Sequence, residues 1–521
     1  MMRNIGLAIL SGILLIIAWP PIGLTPLLFV AMVPLLYVLY DLSSIKKAFL
    51  YIYMAFFLWS LGTMYWIANT RLDSSGFAVV LAAFILIPLF QALPMLLLVG
   101  VRKVFKSYQL WLFLPMIWCS YEYLHSKWEL AFTWLHLGFG LGSMPFLAQF
   151  YELTGYLGGS VLVILINVLV LFLIKEAEYR KRWSIILAGT FVAILTLNFI
   201  LYNSEGKGRG TAKVAVVQPN EDSYQIVNQE SLHRKVEAIK SDLLTLKGKG
   251  VELVVYPEGY IRTTPNYPFI INNPESTELV QSIRSAAEEA DLAVLIGFVG
   301  FRVFPEGAAP SSAVAVGNGS YASGYNAAML IAPETPAQIQ VKNNLVPFME
   351  RVPFLDWTSY FETLRLNLNQ AKASYTPDDR TKVFRYKNLR IAPLICLDAL
   401  FPDYIRSFKA GTPNLIAIIA NDGWAGKTSG FGQNADYAAT SAISFRKEVV
   451  RSASTGISLT LDERGSVKNS IPWNKSDIII ENVTLKNGDT LYEIFGSYIG
   501  VVAVMITFGL FIAFFLKARK M

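Results

Sequence analysis

The sequence predicts a multi-span α-helical membrane domain joined to an α/β domain, with one more membrane helix closing the chain. Two observations carry this. Of 521 residues, 54% are hydrophobic and only 16% charged, more apolar mass than one water-soluble core buries. The texture also changes along the chain: apolar runs crowd the first 202 residues, mixed polar and β-branched sequence fills 203–496, and an apolar run returns at 497–516.

The membrane part is read first. Crossing a hydrocarbon core takes about 20 apolar residues in a helix. Runs of that kind lie near 4–20, 24–40, 47–68, 76–100, 109–125, 155–174 and 183–202, which makes about seven transmembrane helices in residues 1–202. The runs at 24–40 and 109–125 sit at the lower limit of length, where re-entrant or buried segments look the same. The first run ends in Trp19-Pro20-Pro21, has no small-residue cleavage site and is followed by further spans, so it reads as an uncleaved span. Residues 497–521 form the last span and its tail. Lys and Arg gather in short cytoplasmic loops. Arg3, Lys46/Lys47, Arg102/Lys103/Lys106, Lys175/Arg180/Lys181/Arg182 and Lys517/Arg519/Lys520 all fall on one side, against only Arg71 and Lys127 in the opposite short loops. Both termini are therefore expected in the cytoplasm and 203–496 outside it. The net charge of +7 follows this lipid-related pattern and gives no reason to expect nucleic acid.

Within 203–496, strands are expected at Lys213–Gln218, Glu252–Tyr256, Leu292–Phe298, Ala327–Ala332, Leu389–Ile395, Leu415–Ile419 and Ile457–Leu461, with helices at Ser231–Lys247 and Ser276–Ala290. Two cysteines, Cys119 and Cys396, cannot form a disulfide framework, and three scattered histidines argue against a zinc site or a Cys–His nucleophile. No metal or cofactor is expected.

Three residues at predicted strand ends, where α/β folds place catalytic groups, could carry chemistry. Glu258 follows Val254-Val255-Tyr256-Pro257, and desolvation there would raise its pKa and suit it to act as a base. Lys342 opens Lys342-Asn343-Asn344-Leu345-Val346-Pro347-Phe348-Met349-Glu350, and an ammonium near a reacting carbonyl stabilises an oxyanion. Cys396 ends Ala392-Pro393-Leu394-Ile395; a lowered pKa would make it a nucleophile. Taken singly, each also suits a blander role: a turn acid, a surface charge, a small buried hydrophobe.

Taken together, in the order Glu, Lys, Cys, they resemble the nitrilase (carbon–nitrogen hydrolase) superfamily. Val216-Val217-Gln218-Pro219-Asn220, Ala420-Asn421-Asp422-Gly423-Trp424 and Arg451-Ser452-Ala453-Ser454-Thr455-Gly456 add to the likeness. Leu345 to Glu350, with Glu122-Tyr123-Leu124 and Phe132-Thr133-Trp134-Leu135 in the membrane half, resembles the apolipoprotein N-acyltransferase family within it.

The resemblance implies an αββα nitrilase-like domain in which Cys396 is the nucleophile, Glu258 the general base, Lys342 the oxyanion stabiliser and Glu350 a supporting acid. It also implies a bacterial inner-membrane enzyme whose periplasmic domain moves an acyl chain from a phospholipid, through a thioester, to a diacylated lipoprotein. The chain is read as a monomer. Phe354, Trp357 and Phe361 fall on one helical face of 353–361 and are expected either to form an acyl-chain arm or to pack as an amphipathic core helix; Trp424 is a further substrate-contact candidate. Met349, Leu397-Asp398, Asn434, Ser441 and Ser444 depart from the usual motifs, and Cys396-Leu397-Asp398 followed by Phe401-Pro402 is similar to soluble amidases. A membrane-tethered amidohydrolase is therefore the alternative; a transporter, with Glu122 as its intramembrane charge, or an inactive scaffold or receptor are others.

Overall fold

The computed structural model describes residues 1–70, 74–105, 107–204, 208–224, 228–263, 271, 273–354 and 375–519. The chain divides into two compact units, one of Met1–Glu205, Thr428–Phe445 and Asp489–Met521, the other of Gly206–Lys427 and Arg446–Gly488.

In the first unit, five helices among the described residues are long and apolar enough to cross a membrane: Ile45–Asn69, Val79–Phe105, Tyr151–Lys175, Ala177–Asn203 and Tyr498–Ala518. The other three apolar runs fold into shorter pieces. The first is the helix Met2–Ala18; the run at 24–40 becomes a 3-10 turn, Thr25–Phe29, and a helix, Val33–Tyr40; the run at 109–125 becomes Tyr108–Phe113 and Leu114–His125. Pro26, Pro34 and Pro115 open helical pieces, where their missing N–H costs nothing and each restarts the helix. Tyr151–Lys175 is mostly buried, whereas Ala177–Asn203 and Tyr498–Ala518 leave most of their apolar surface uncovered, as helices facing lipid do.

Two buried polar knots hold this unit. Glu122 is fully buried and accepts hydrogen bonds from Trp118 Nε1 (2.8 Å), the Leu137 N–H (2.8 Å) and the Ser160 hydroxyl. It ties helices together and has the satisfied surroundings of a structural group, not those of a transport site. Gln433 accepts from Trp66 Nε1 (3.1 Å) and Trp134 Nε1 (2.7 Å) and donates to the carbonyls of Pro20 (2.8 Å) and Thr63 (3.0 Å). The helix that carries it, Ser429–Phe445, belongs to this unit although its neighbours in sequence belong to the other.

The second unit is built on two sheets. Its strands are β1 (Gly208–Gln218), β2 (Leu253–Val255), β3 (Ile261–Arg262), β4 (Ala293–Pro305), β5 (Val314–Gly317), β6 (Ser320–Ala332), β7 (Thr335–Val341), β8 (Phe384–Tyr386), β9 (Leu389–Ile395), β10 (Leu415–Ala420), β11 (Val449–Ala453), β12 (Ser458–Leu461), β13 (Val467–Ile471) and β14 (Asp477–Lys486). One sheet runs β14-β1-β2-β4-β6-β5, with β3 beside β4 and β7 beside β6; the other runs β13-β12-β11-β10-β9-β8. Alternation explains the stacking. Ala215, Val217, Val254, Val294 and Ile296 pack under Val236, Ile239, Leu243, Val280 and Ile283 of the helices Gln229–Leu246 and Glu278–Ala290. Their neighbours Val214, Val216, Leu253, Val255 and Leu295 face Ile391, Ile395, Leu415, Ala417 and Ile419 of the second sheet. Successive side chains point to opposite faces, so a one-residue slip would exchange the two cores.

Candidate active site

Parallel pairing of β1 with β2, β2 with β4, and β10 with both β9 and β11 brings their C-terminal ends into register. Glu258 lies just past β2, Cys396 directly after β9, Asn421 and Asp422 directly after β10, and Lys342 directly after β7. Cys396 has φ +50°, a left-handed conformation that a side chain adopts only where its surroundings impose it.

The structure brings Glu258, Lys342 and Glu350 into one ion network. Lys342 Nζ donates to Glu258 Oε1 at 2.8 Å and to Glu350 Oε1 at 2.9 Å. Asn326 Nδ2 donates to the same two carboxylates, at 2.8 Å and 3.0 Å. The second oxygen of Glu258 accepts from the Asn421 N–H (2.9 Å), and that of Glu350 from the Val346 N–H (2.9 Å). Lys342 Nζ also lies 2.9 Å from the second oxygen of Glu350, so the ammonium bridges the two carboxylates.

Electrostatics separates the three roles. Burial pushes the Glu258 carboxyl upward, but the Lys342 charge and the hydrogen bonds from Lys342, Asn326 and Asn421 outweigh it and hold the group below the usual carboxylate range. The raised pKa expected from desolvation is thus reversed by a cation that only the fold brings near. Burial works against the Lys342 charge too, yet Glu258 and Glu350 raise its pKa well above normal. Cys396 is only partly buried, but desolvation still leads the influences on its thiol and, with the Glu258 charge, pushes it well above normal against the pull of Lys342. The resting arrangement is therefore a neutral thiol beside a carboxylate and an ammonium, not the low-pKa thiolate of many reactive cysteines.

Further groups brace the site. Asp398 is fully buried and accepts from the Asn344 N–H (2.8 Å) and Nδ2 (2.9 Å), pinning the loop after Lys342 to the turn after Cys396. Burial raises its pKa to about 7. An unfolded aspartate releases its proton near pH ~4, so the folded state holds the extra proton and stability falls as pH rises from there to about 7. Asp398→Asn should flatten that slope in denaturant titrations; an unchanged slope would remove Asp398 as its cause. Arg451, fully buried, pairs with Asp422 at 2.9 and 3.0 Å behind the strand ends. Gly297 packs directly against Glu258, since a Cβ there would lie 2.5 Å from Glu258 Cα and 2.5 Å from the Pro257 carbonyl. Gly297→Ala should displace Glu258 and cut turnover about tenfold or more; full activity at unchanged stability would show that the close approach is dispensable.

Other expected contacts fall out differently. Trp424 is half-buried, and its carbonyl accepts from the Tyr224 hydroxyl at 2.7 Å. Trp357 and Phe361 lie outside the described residues, whereas Phe348, Met349 and Phe354 are exposed beside the Glu350 loop. Asn326 and Gly297 went unread in the sequence. The signal for Asn326 was a lone amide in the apolar strand Tyr325-Asn326-Ala327-Ala328. Among the described residues no cluster of three or more His, Cys, Asp or Glu is placed to hold a metal ion.

Comparison with known proteins gives the family. A sequence model of the carbon–nitrogen hydrolase family matches residues 213–491, and one of the apolipoprotein N-acyltransferase N-terminal domain matches residues 11–169. The chain is similar to the apolipoprotein N-acyltransferase of Chlorobaculum tepidum, 28% identical over 93% of this chain and 92% of that one. It is also similar to that of Thermotoga maritima, 23% identical over 96% and 92%. Among solved structures, a carbon–nitrogen hydrolase superfamily protein of Xanthomonas campestris, with an arsenic adduct in its active site, is 15% identical with a TM-score of 0.35, covering 53% of this chain and 91% of that one. The chain belongs to the carbon–nitrogen hydrolase family, and its two matched regions together place it among the apolipoprotein N-acyltransferases of that superfamily.

Proposed function

We propose that this protein transfers an acyl chain from a membrane phospholipid to the α-amine of a diacylglyceryl-cysteine at a lipoprotein N-terminus, in two steps through a thioester on Cys396. The observation that carries the chemistry is Lys342, held charged between Glu258 and Glu350. In the first step Glu258 accepts the thiol proton as sulfur attacks the ester carbonyl, and Lys342 stabilises the oxyanion. The C–O bond breaks, the proton passes to the leaving alkoxide, and a lysophospholipid departs. The lipoprotein amine then attacks the thioester, Glu258 takes its proton, and Cys396 leaves with a proton restored, a ping-pong cycle. Glu350 keeps Lys342 placed and charged.

Residues 203–496 act as the catalytic domain on the periplasmic face of the inner membrane, between the membrane segments 1–202 and 497–521; the one-sided distribution of Lys and Arg supports this orientation. Membrane attachment suits the substrates, because extracting an acyl chain costs about 0.8 kcal/mol per methylene. The exposed Phe348, Met349 and Phe354 form an apolar approach, with Trp424 as a further contact; if Trp357 and Phe361 serve acyl-chain binding, Trp357→Ser with Phe361→Ser should impair phospholipid more than a soluble thioester donor. The enzyme acts as a monomer without cofactor.

Purified protein incubated with phospholipid and a diacylated lipopeptide, followed by mass spectrometry, tests this directly. Triacylated peptide with a mass gain of one acyl chain on Cys396 is the expected result. Release of free fatty acid or ammonia without peptide acylation would favour a hydrolase, the reading suggested by Cys396-Leu397-Asp398 and Phe401-Pro402.

A further inference from the structure

A cleft opens on Glu258 and is lined in part by Ser223, Lys235, Gly259, Arg262, Asn421 and Ser454. Most of its polar groups are already engaged. Lys235 is paired with Glu221 at 2.6 Å and donates to the Tyr260 carbonyl at 2.8 Å. The Asn421 side-chain oxygen accepts from the hydroxyls of Ser223 and Ser454. Arg262 differs. It sits at the end of β3, half-buried, and its Nε and Nη1 donate to the carbonyls of Gly259 (3.0 Å) and Ser223 (2.7 Å), while among the described residues no carboxylate pairs with it. A guanidinium has five N–H donors; the two in use are spent on neutral oxygens.

A half-buried cation in a cleft, steered by two carbonyls and, among the described residues, without a paired carboxylate, is arranged to receive an anion. Its position is set by Gly259, at φ +58°, where a Cβ would lie 3.2 Å from Arg262 Nε and 3.7 Å from Nη2. The guanidinium therefore lies over the residue that follows the base, and a side chain there would crowd it. Two carboxylates besides Glu258 line the cleft. Glu221 is neutralised by Lys235, and exposed Asp222 accepts from the Tyr224 N–H at 3.0 Å.

We infer that this cleft is a phosphodiester subsite, with Arg262 binding the phosphate of the acyl donor. The inference rests on the phospholipid-donor reading above. In a glycerophospholipid the phosphate is separated from the ester carbonyl by only the glycerol carbons and their oxygens, so a subsite next to Glu258 holds the phosphate while the ester reaches Cys396. A free phosphate or a phosphomonoester has the same chemistry, and the test separates these sources.

The test compares Arg262→Met and Arg262→Lys with the unaltered protein, using phosphatidylglycerol in mixed micelles and the uncharged ester p-nitrophenyl palmitate as donors. The ratio of kcat/KM for the phospholipid to that for the uncharged ester should fall about tenfold or more in Arg262→Met and less in Arg262→Lys, the size of a lost charge-assisted hydrogen bond. In the unaltered protein, glycerophosphocholine should compete with phospholipid; this arm needs no variant to fold. An unchanged ratio, with both donors losing equally, would overturn the subsite, as would inhibition by inorganic phosphate without inhibition by the diester. If the unaltered protein accepts only the uncharged ester, the donor reading itself fails and takes the subsite with it. Transfer from phospholipid with an unchanged ratio in Arg262→Met sinks the subsite alone.

Discussion

Cys396→Ser should abolish the proposed thioester and lower acyl transfer about a thousandfold or more, with little change in stability. The reason lies in the resting charges. Lys342, Asn326 and Asn421 hold the Glu258 carboxylate below its usual range, so it is a weak base and needs an acidic partner to deprotonate during attack. A thiol meets that need even when burial raises its pKa; an alcohol, several units less acidic, does not. Serine tolerates the same backbone conformation about as well as cysteine, so the φ of +50° at this position should survive. The neutral thiol has a second consequence: alkylation of Cys396 by iodoacetamide should be slow at pH 7 and keep rising through pH 9 without a plateau, since thiolate is the reacting form. Retention of transfer within tenfold by Cys396→Ser would remove the nucleophile from the mechanism.

Lys342→Met should be the most destabilising single change in the site, and it should invert part of the pH dependence. Lys342 is nearly fully buried between Glu258 and Glu350, with side-chain exposures of 2%, 9% and 16%. Removing one member of a buried ion cluster costs about 3–5 kcal/mol because the remaining charges lose their partner. The sign with pH follows from the carboxylates. In the unaltered protein Glu258 is held low, so its contribution is present above the ordinary carboxylate pKa of about 4.3 and is lost on acidification through the lower folded value. Without the ammonium, burial dominates and the folded pKa rises above the ordinary value. Stability is then greatest in acid and is lost as pH rises through the raised value. Denaturant midpoints for Lys342→Met should therefore fall between about pH 5 and 8 relative to the parent. Adding Glu350→Gln removes one of the two stranded charges and should recover part of the stability but none of the activity, because the ammonium proposed to hold the oxyanion is still missing. A Lys342→Met protein that unfolds like its parent at pH 8, or turns over at more than a tenth of its rate, would contradict this account.

The strands that sequence pattern identified were those of the double core. Leu389–Ile395 was placed to the residue, and Glu252–Tyr256 and Leu415–Ile419 to within a residue or two, because strands buried on both faces are continuous apolar runs. Among the strands that pattern did not single out, β5 and most of β13 face solvent and β14 alternates too loosely to separate from a loop, whereas β11 is buried throughout but carries the polar Arg451 and Ser452. In the membrane half, hydropathy located every apolar run, but not that prolines would split two of them into short pieces.

Strand-end placement marked Glu258, Lys342 and Cys396 as candidates, and the resemblance of their order and surrounding motifs to a known family singled them out and added Glu350, since motif spacing is a local property. Three things were not local. The first is the sign of the Glu258 shift, which depends on an ammonium 84 positions away in sequence. The second is the bracing by Asn326, Gly297 and Asp398, residues whose types are unremarkable until parallel strands align their ends. The third is the setting of Arg262, an ordinary arginine in the sequence, which the fold steers with the carbonyls of Gly259 and Ser223 and, among the described residues, leaves without a paired carboxylate. Composition and periodicity set which groups are buried; electrostatic energy depends on the inverse of distance, and those distances exist only once the strands have packed.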